Sequence, residues 1–159
     1  MKTLIIYATQ HGTTRTCVEM LSSQLAGEVM MLDLKEQKTI DMDPYDTVVL
    51  GGAIHAGRLD GKIRSFSLEH KDQLLKKKLG LFICGMEDKE EEINKQLSLN
   101  YPEDLLSHAV ARTSFGGQLL FSRMAPITRW FMQKMSKSKE DIKKIRTNAI
   151  NEFAQALAH

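Results

Sequence analysis

Residues 4–16 read Leu-Ile-Ile-Tyr-Ala-Thr-Gln-His-Gly-Thr-Thr-Arg-Thr, an apolar run that passes without a spacer into a hydroxyl-rich turn. From Lys2 to Ala8 the run shows no polar alternation. That predicts a strand covered on both faces, as in a parallel sheet flanked by helices. Parallel neighbours need crossover connections, so this one segment commits the chain to an α/β fold. At its carboxyl end Thr9, Thr13 and Thr14 supply hydroxyls and Gly12 allows a close turn. A helix starting near Thr13 would add unpaired N–H groups and a partial positive charge. Thr-x-x-Gly-x-Thr is also the composition of a plain capped turn. Its place after the first strand favours a socket for a single terminal phosphate. The spacing is neither G-x-x-x-x-G-K-[ST] nor G-x-G-x-x-G, which argues against a magnesium-bound triphosphate or a dinucleotide.

A chain of 159 residues and 18.0 kDa suits one domain, residues 1–159, with a single core. No repeat, low-complexity tract or Ser- or Gly-rich linker divides it. The start carries no secretory pattern and no run reaches the length of a membrane span, so the expectation is a cytoplasmic protein. Two cysteines, Cys17 and Cys84, make no disulfide framework and no zinc-ligand pattern. Cys17 shares helical spacing with Leu21 and Leu25 and reads as core, while Cys84 ends an apolar strand close to the expected ligand.

The net charge of +2 hides an asymmetry, because residues 123–146 carry +6 and the remainder −4. Such a segment attracts an acidic partner, an anionic substrate or a membrane surface, or is simply a solvated helix face. Within it Met124, Ile127, Trp130, Phe131 and Met135 gather on one helical face. Apolar, aromatic and basic residues in that arrangement fit either a bilayer interface or core packing with a wet basic back.

Strand-like runs at 2–8, 28–34, 46–52, 79–84 and about 108–121 alternate with helical patterns at 13–26, 61–76, 88–98, about 123–136 and 139–157. In the last helix Ile142, Ile145, Ala149, Phe153 and Leu157 form an apolar stripe. The alternation predicts a doubly wound, five-stranded parallel sheet of order 2-1-3-4-5, with an extra helical insertion near the fifth strand. In that order the first and third strands are neighbours at the switch point, so the turns after Ala8 and Gly52 meet in one crevice. Gly51-Gly52-Ala53-Ile54-His55-Ala56-Gly57-Arg58 offers small residues against which a flat ligand could lie, and Cys84-Gly85-Met86-Glu87-Asp88 forms the facing wall.

Three such loops in this order resemble the flavodoxin superfamily, whose ligand is flavin mononucleotide (FMN). The resemblance implies that Thr9, Gln10, His11, Gly12, Thr13 and Thr14 cradle the phosphate. Ala53, Ile54, His55, Ala56 and Gly57, with Cys84, Gly85, Met86, Glu87 and Asp88, would flank the ring. Carriers of that superfamily place Trp or Tyr in these loops and are strongly acidic, whereas here Ile54, His55 and Met86 stand there and the chain is mildly basic. The chain is most similar to one branch, the menaquinone-dependent protoporphyrinogen oxidase family. That similarity rests on Met1 to Ile5, on Gly51 to Gly57, and on the basic aromatic stretch from Gly116 to Ser136 ending Lys-Met-Ser.

That likeness implies an FMN-dependent oxidoreductase taking hydrogen from a porphyrinogen-like substrate and passing electrons to a quinone, with His55 and Arg58 as its catalytic candidates. Histidine exchanges protons near neutral pH, so His55 is a candidate donor as well as a plain loop residue. The segment 139–145 departs from the family's pattern, which leaves another substrate open. A flavodoxin-type electron carrier and a cofactor-free signalling domain remain as alternatives. A response regulator would need acidic groups where Ala8, Thr9 and Gln10 stand, no G-x-S-x-G turn supports a hydrolase, and no nucleic-acid module accompanies the basic stretch.

Overall fold

A computed structural model of the chain describes residues 1–9, 12–119, 124–136 and 141–159. Its main sheet contains β1 (Lys2–Ala8), β2 (Glu28–Asp33), β3 (Thr47–His55), the two-residue β4 (Arg58–Leu59), β5 (Lys78–Cys84) and β6 (Ala111–Ser114). Five of these run parallel in the order β2-β1-β3-β5-β6, and β4 folds back antiparallel on β3. The expected 2-1-3-4-5 winding is therefore present, with β4 as a small addition. Register pairs Ala8 with Gly52 and Ala53 with Cys84, so the carboxyl ends of β1, β3 and β5 finish level with one another.

Alternation along the strands divides the apolar residues between two faces. Leu4, Ile6, Val48, Leu50, Leu79, Leu81 and Ile83 pack on one side. There they meet α2 (Gly61–Glu69), α3 (Lys71–Leu74), α4 (Glu90–Asn100) and α5 (Glu103–His108) through Ile63, Phe66, Leu74, Ile93, Leu97 and Leu105. On the other side Ile5, Tyr7, Val49, Phe82 and Cys84 pack on α1 (Thr13–Ser22) and α7 (Thr147–Ala158). The aromatic centre of this second core consists of Phe82 stacked on Phe115 at 4.5 Å and Phe153 standing edge-on to Phe115 at 5.0 Å. Its rings lie where strand glycines leave room. A Cβ on Gly51 would fall 2.4 Å from the Phe82 ring, and one on Gly80 would fall 2.6 Å from Phe153.

The carboxyl-terminal third departs from the sequence expectation in two places. The single run at 108–121 resolves into β6 and then, after Phe115, β7 (Gly116–Leu119), with Gly116 at φ +79° marking the break. The helix expected at 139–157 starts only at Thr147. Ile142 and Ile145 belong instead to β8 (Ile142–Ile145), which pairs antiparallel with β7. Between β7 and β8 lies α6 (Pro126–Ser136), so the expected helical insertion is a helix carried on a two-stranded ribbon. Residues 120–123 and 137–140, including Arg123, Lys137 and Lys139, lie outside the described residues. Arg146 fastens the ribbon to the sheet. Its N–H donates to Phe115 O at 2.8 Å, its guanidinium donates to Ser114 O at 3.0 Å, and it pairs with Glu90 of α4.

Candidate functional site

The level carboxyl ends of β1, β3 and β5 open into a crevice of about 900 Å³, at the upper end of the range for ligand pockets, roughly 300–1,000 Å³. Thr9, Thr13 and Thr14 line its first side. Gly12 sits at φ +87°, a left-handed conformation that a side chain would resist, and its N–H donates to Thr9 Oγ1 at 3.0 Å. Among the described residues no side chain caps α1 at Gly12. Its opening N–H groups and the positive end of its dipole therefore remain available for an anion. Gln10 and His11 of the same expected cradle lie outside the described residues.

The second side is the β3–β4 hairpin, where Ala53, Ile54, His55, Ala56 and Gly57 all border the crevice. Its two-residue turn places Ala56 at φ +51° and Gly57 at φ +78°, the positive-φ pair that matches the twist of a tight hairpin. Arg58 is exposed and outside the crevice lining. It pairs directly across the hairpin with His55, so the two side chains rise from the same face.

Cys84, Gly85, Met86 and Glu87 form the third side, while Asp88 is exposed beyond it. Glu87 Oε1 accepts from the N–H groups of Asp88 and Lys89 at 3.0 Å each, which ties the carboxylate to the start of α4. A hydrogen bond with Cys17, followed by burial, pushes the Cys84 thiol well above its ordinary range, and the Thr14 hydroxyl opposes that shift in part. Thiolate chemistry at Cys84 is thereby suppressed. Burial likewise raises Tyr7, and more strongly Tyr101, whose hydroxyl donates to Phe82 O at 2.7 Å and to Leu50 O at 3.3 Å.

A fourth wall escaped the sequence reading. Gly117 and Gln118 of β7, Gln96 of α4, and Met124, Thr128 and Met132 also line the crevice. The i, i+4, i+8 spacing of the last three was the available signal. Helical spacing groups Met124 with Ile127, Trp130, Phe131 and Met135, yet Met124 borders the crevice and the other four are exposed, Ile127 at 83%. Gly85 N–H donates to Gly116 O at 3.0 Å, which joins the third loop to the ribbon. A Cβ on Gly117 would fall 3.1 Å from Gly85 O, so the bare backbone sets how closely they approach. Among the described residues no group of three or more His, Cys, Asp and Glu could hold a metal, and no helix is long and apolar enough to cross a membrane.

These features fit a flat ring with a phosphorylated tail. Hydroxyls and uncapped N–H groups stand at one end, and the small residues Ala53, Ala56, Gly57 and Gly85 leave a slot at the other.

Comparison with known proteins gives the same picture. A family model described as a flavodoxin domain matches residues 4–145. Protoporphyrinogen IX dehydrogenase [quinone] of Escherichia coli (strain K12) is 24% identical, covering 100% of this chain and 96% of that protein. Among solved structures, oxidised flavodoxin 2 from Bacillus cereus superposes with a TM-score of 0.55 at 17% identity, covering 99% of this chain and 98% of the other. A Fusobacterium nucleatum flavodoxin mutant, bound to flavin mononucleotide, superposes with a TM-score of 0.52 at 14% identity, over 70% of this chain and 66% of the other. The chain belongs to the flavodoxin domain family and is an electron-transfer flavoprotein whose cofactor is FMN.

Proposed function

We propose that the protein is an FMN-dependent oxidoreductase that oxidises a porphyrinogen-like substrate and delivers the electrons to a quinone, as the name of its Escherichia coli relative describes for that protein. The observation that supports this reading is the fourth wall. Met124, Thr128 and Met132 close the crevice beyond the three loops. A carrier that hands electrons to a protein partner has no need of a methionine-bearing wall beyond the three loops, whereas a bulky macrocyclic substrate does.

FMN, when bound, supplies the acceptance and release of electrons; the protein contributes binding, orientation and exclusion of water. In this reading Thr9, Gln10, His11, Gly12, Thr13 and Thr14 hold the phosphate. Ala53 to Gly57 and Cys84 to Asp88 flank the ring, and Met124 and Met132 shed water from the slot. His55 at the crevice mouth holds or releases a proton at an imidazole nitrogen, and Arg58 across the hairpin favours negative charge there.

The test is turnover of protoporphyrinogen by the FMN-loaded protein with menadione as acceptor. Multiple turnovers per flavin are expected. A protein that instead only shuttles electrons from a reductase is a flavodoxin-type carrier. The exposed Ile127, Trp130, Phe131 and Met135, with Lys134 over the Trp130 ring at 4.9 Å, favour a peripheral membrane contact that would bring the crevice to quinone. Failure of the protein to float with anionic liposomes would remove that contact.

A further inference from the structure

We infer that Asn100, at the end of α4, is a positioning residue for the flavin, acting through the β3–β4 hairpin that borders the crevice. The inference rests on FMN occupying the crevice and concerns a side chain that is not in the crevice lining. Asn100 is 8% exposed, and both ends of its amide are hydrogen-bonded. Oδ1 accepts from Leu59 N–H at 2.9 Å, while Nδ2 donates to Gly57 O at 3.0 Å and to Gln96 O at 2.7 Å. Only one orientation of the amide works, because the reverse would set donor against the Leu59 N–H and acceptor against the two carbonyls.

Both hairpin contacts go to backbone, one at the second turn residue and one on the returning strand. The tip they hold carries Ala56 at φ +51°, a left-handed conformation that a residue with a Cβ adopts only under strain. A strained tip persists only where its surroundings over-determine it. Beside the β3–β4 pairing itself, the buried Asn100 side chain supplies support from α4. Gly57, whose carbonyl Asn100 holds, is itself a crevice residue. Loss of the amide frees that carbonyl and the Leu59 N–H together, and the surface facing the ring is no longer fixed.

Asn100→Leu should weaken FMN binding about tenfold, the equivalent of 1.4 kcal/mol, and move the midpoint potential of the bound flavin. Asn100→Asp, which keeps the acceptor for Leu59 but sets a second acceptor against the Gly57 and Gln96 carbonyls, should do so at least as strongly. Tyr101→Phe is the control. It removes an equally buried hydrogen-bonding group from the next position, so it should lower thermal stability and leave flavin affinity and potential unchanged.

Wild-type affinity and potential in either folded Asn100 variant would overturn the inference. So would a Tyr101→Phe protein that loosens flavin as much as the Asn100 variants do. If neither Asn100 variant folds, amide exchange in the wild-type protein decides. Binding and clamp stability are linked, so FMN should slow exchange at the Leu59 N–H about tenfold, and equal rates with and without FMN would reject the idea. A wild-type protein that takes up no FMN would instead sink the reading of the crevice itself.

Discussion

Phe153 on α7 and Phe131 on α6 are the same residue type on helices of similar length, yet one is 2% exposed and the other 55%. Phe153 belongs to the part of the molecule that shapes the cofactor crevice, where parallel strands are paired on both sides and covered on both faces. Phe131 belongs to the part that closes the crevice, a helix on a ribbon of two four-residue strands. Two strands alone are marginal in water. The contrast lies in support: the crevice floor is built from strands paired on both sides, and its cover from a helix on a short two-stranded ribbon.

The sharpest way to break this comparison is to truncate both rings. Phe153→Ala should cost about 3–5 kcal/mol of stability, and Phe131→Ala less than about 0.5 kcal/mol, read from denaturant midpoints. Equal losses would mean that the cover is as integral as the floor.

Alkaline pH sharpens it further. Cys84 and Tyr101 lie in the floor with their protons held more tightly than in the unfolded chain, which ionises them at roughly pH 8.5 and 10. Stability is therefore complete below those values. It should fall as pH rises through them, by about 1.4 kcal/mol per pH unit for each proton retained. A pH series of unfolding midpoints checks this, and Tyr101→Phe should flatten the upper part of the decline. The smallest expected effect is the most selective. Met132→Lys places a charge in the apolar wall, so turnover should drop about fivefold while the FMN dissociation constant stays within about twofold. A parallel loss of flavin would show that the cover also holds the cofactor.

The floor was legible in the sequence because its signals are local. Lys2–Ala8 and the run ending at Cys84 are unbroken apolar segments, and the glycines that follow mark the turns. The cover was less so. Ile142 and Ile145 stand three apart, a spacing that continues the stripe of Ala149 and Phe153, and nothing nearby marks them as a strand. Their partner, Gly116–Leu119, lies more than 20 residues upstream, and non-local pairing of that kind leaves no trace in periodicity. The hairpin return at Arg58–Leu59 did carry a cue, since Gly57 in a two-residue turn favours antiparallel pairing. Asn100 carried none: a polar residue at a helix end is ordinary, and its role depends on two backbone groups more than 40 positions away.

The hydrogen bond between Arg146 N–H and Phe115 O closes the excursion through β7, α6 and β8 at the point where it began. A stretch that exits and re-enters through one doorway behaves as a cassette. It could be excised and bridged by a short glycine linker without separating any pair of strands in the main sheet. Closure entropy grows only slowly with length, so longer or shorter versions would be tolerated too. The architecture thus allows the cover of the crevice to be exchanged while the main sheet stays as it is.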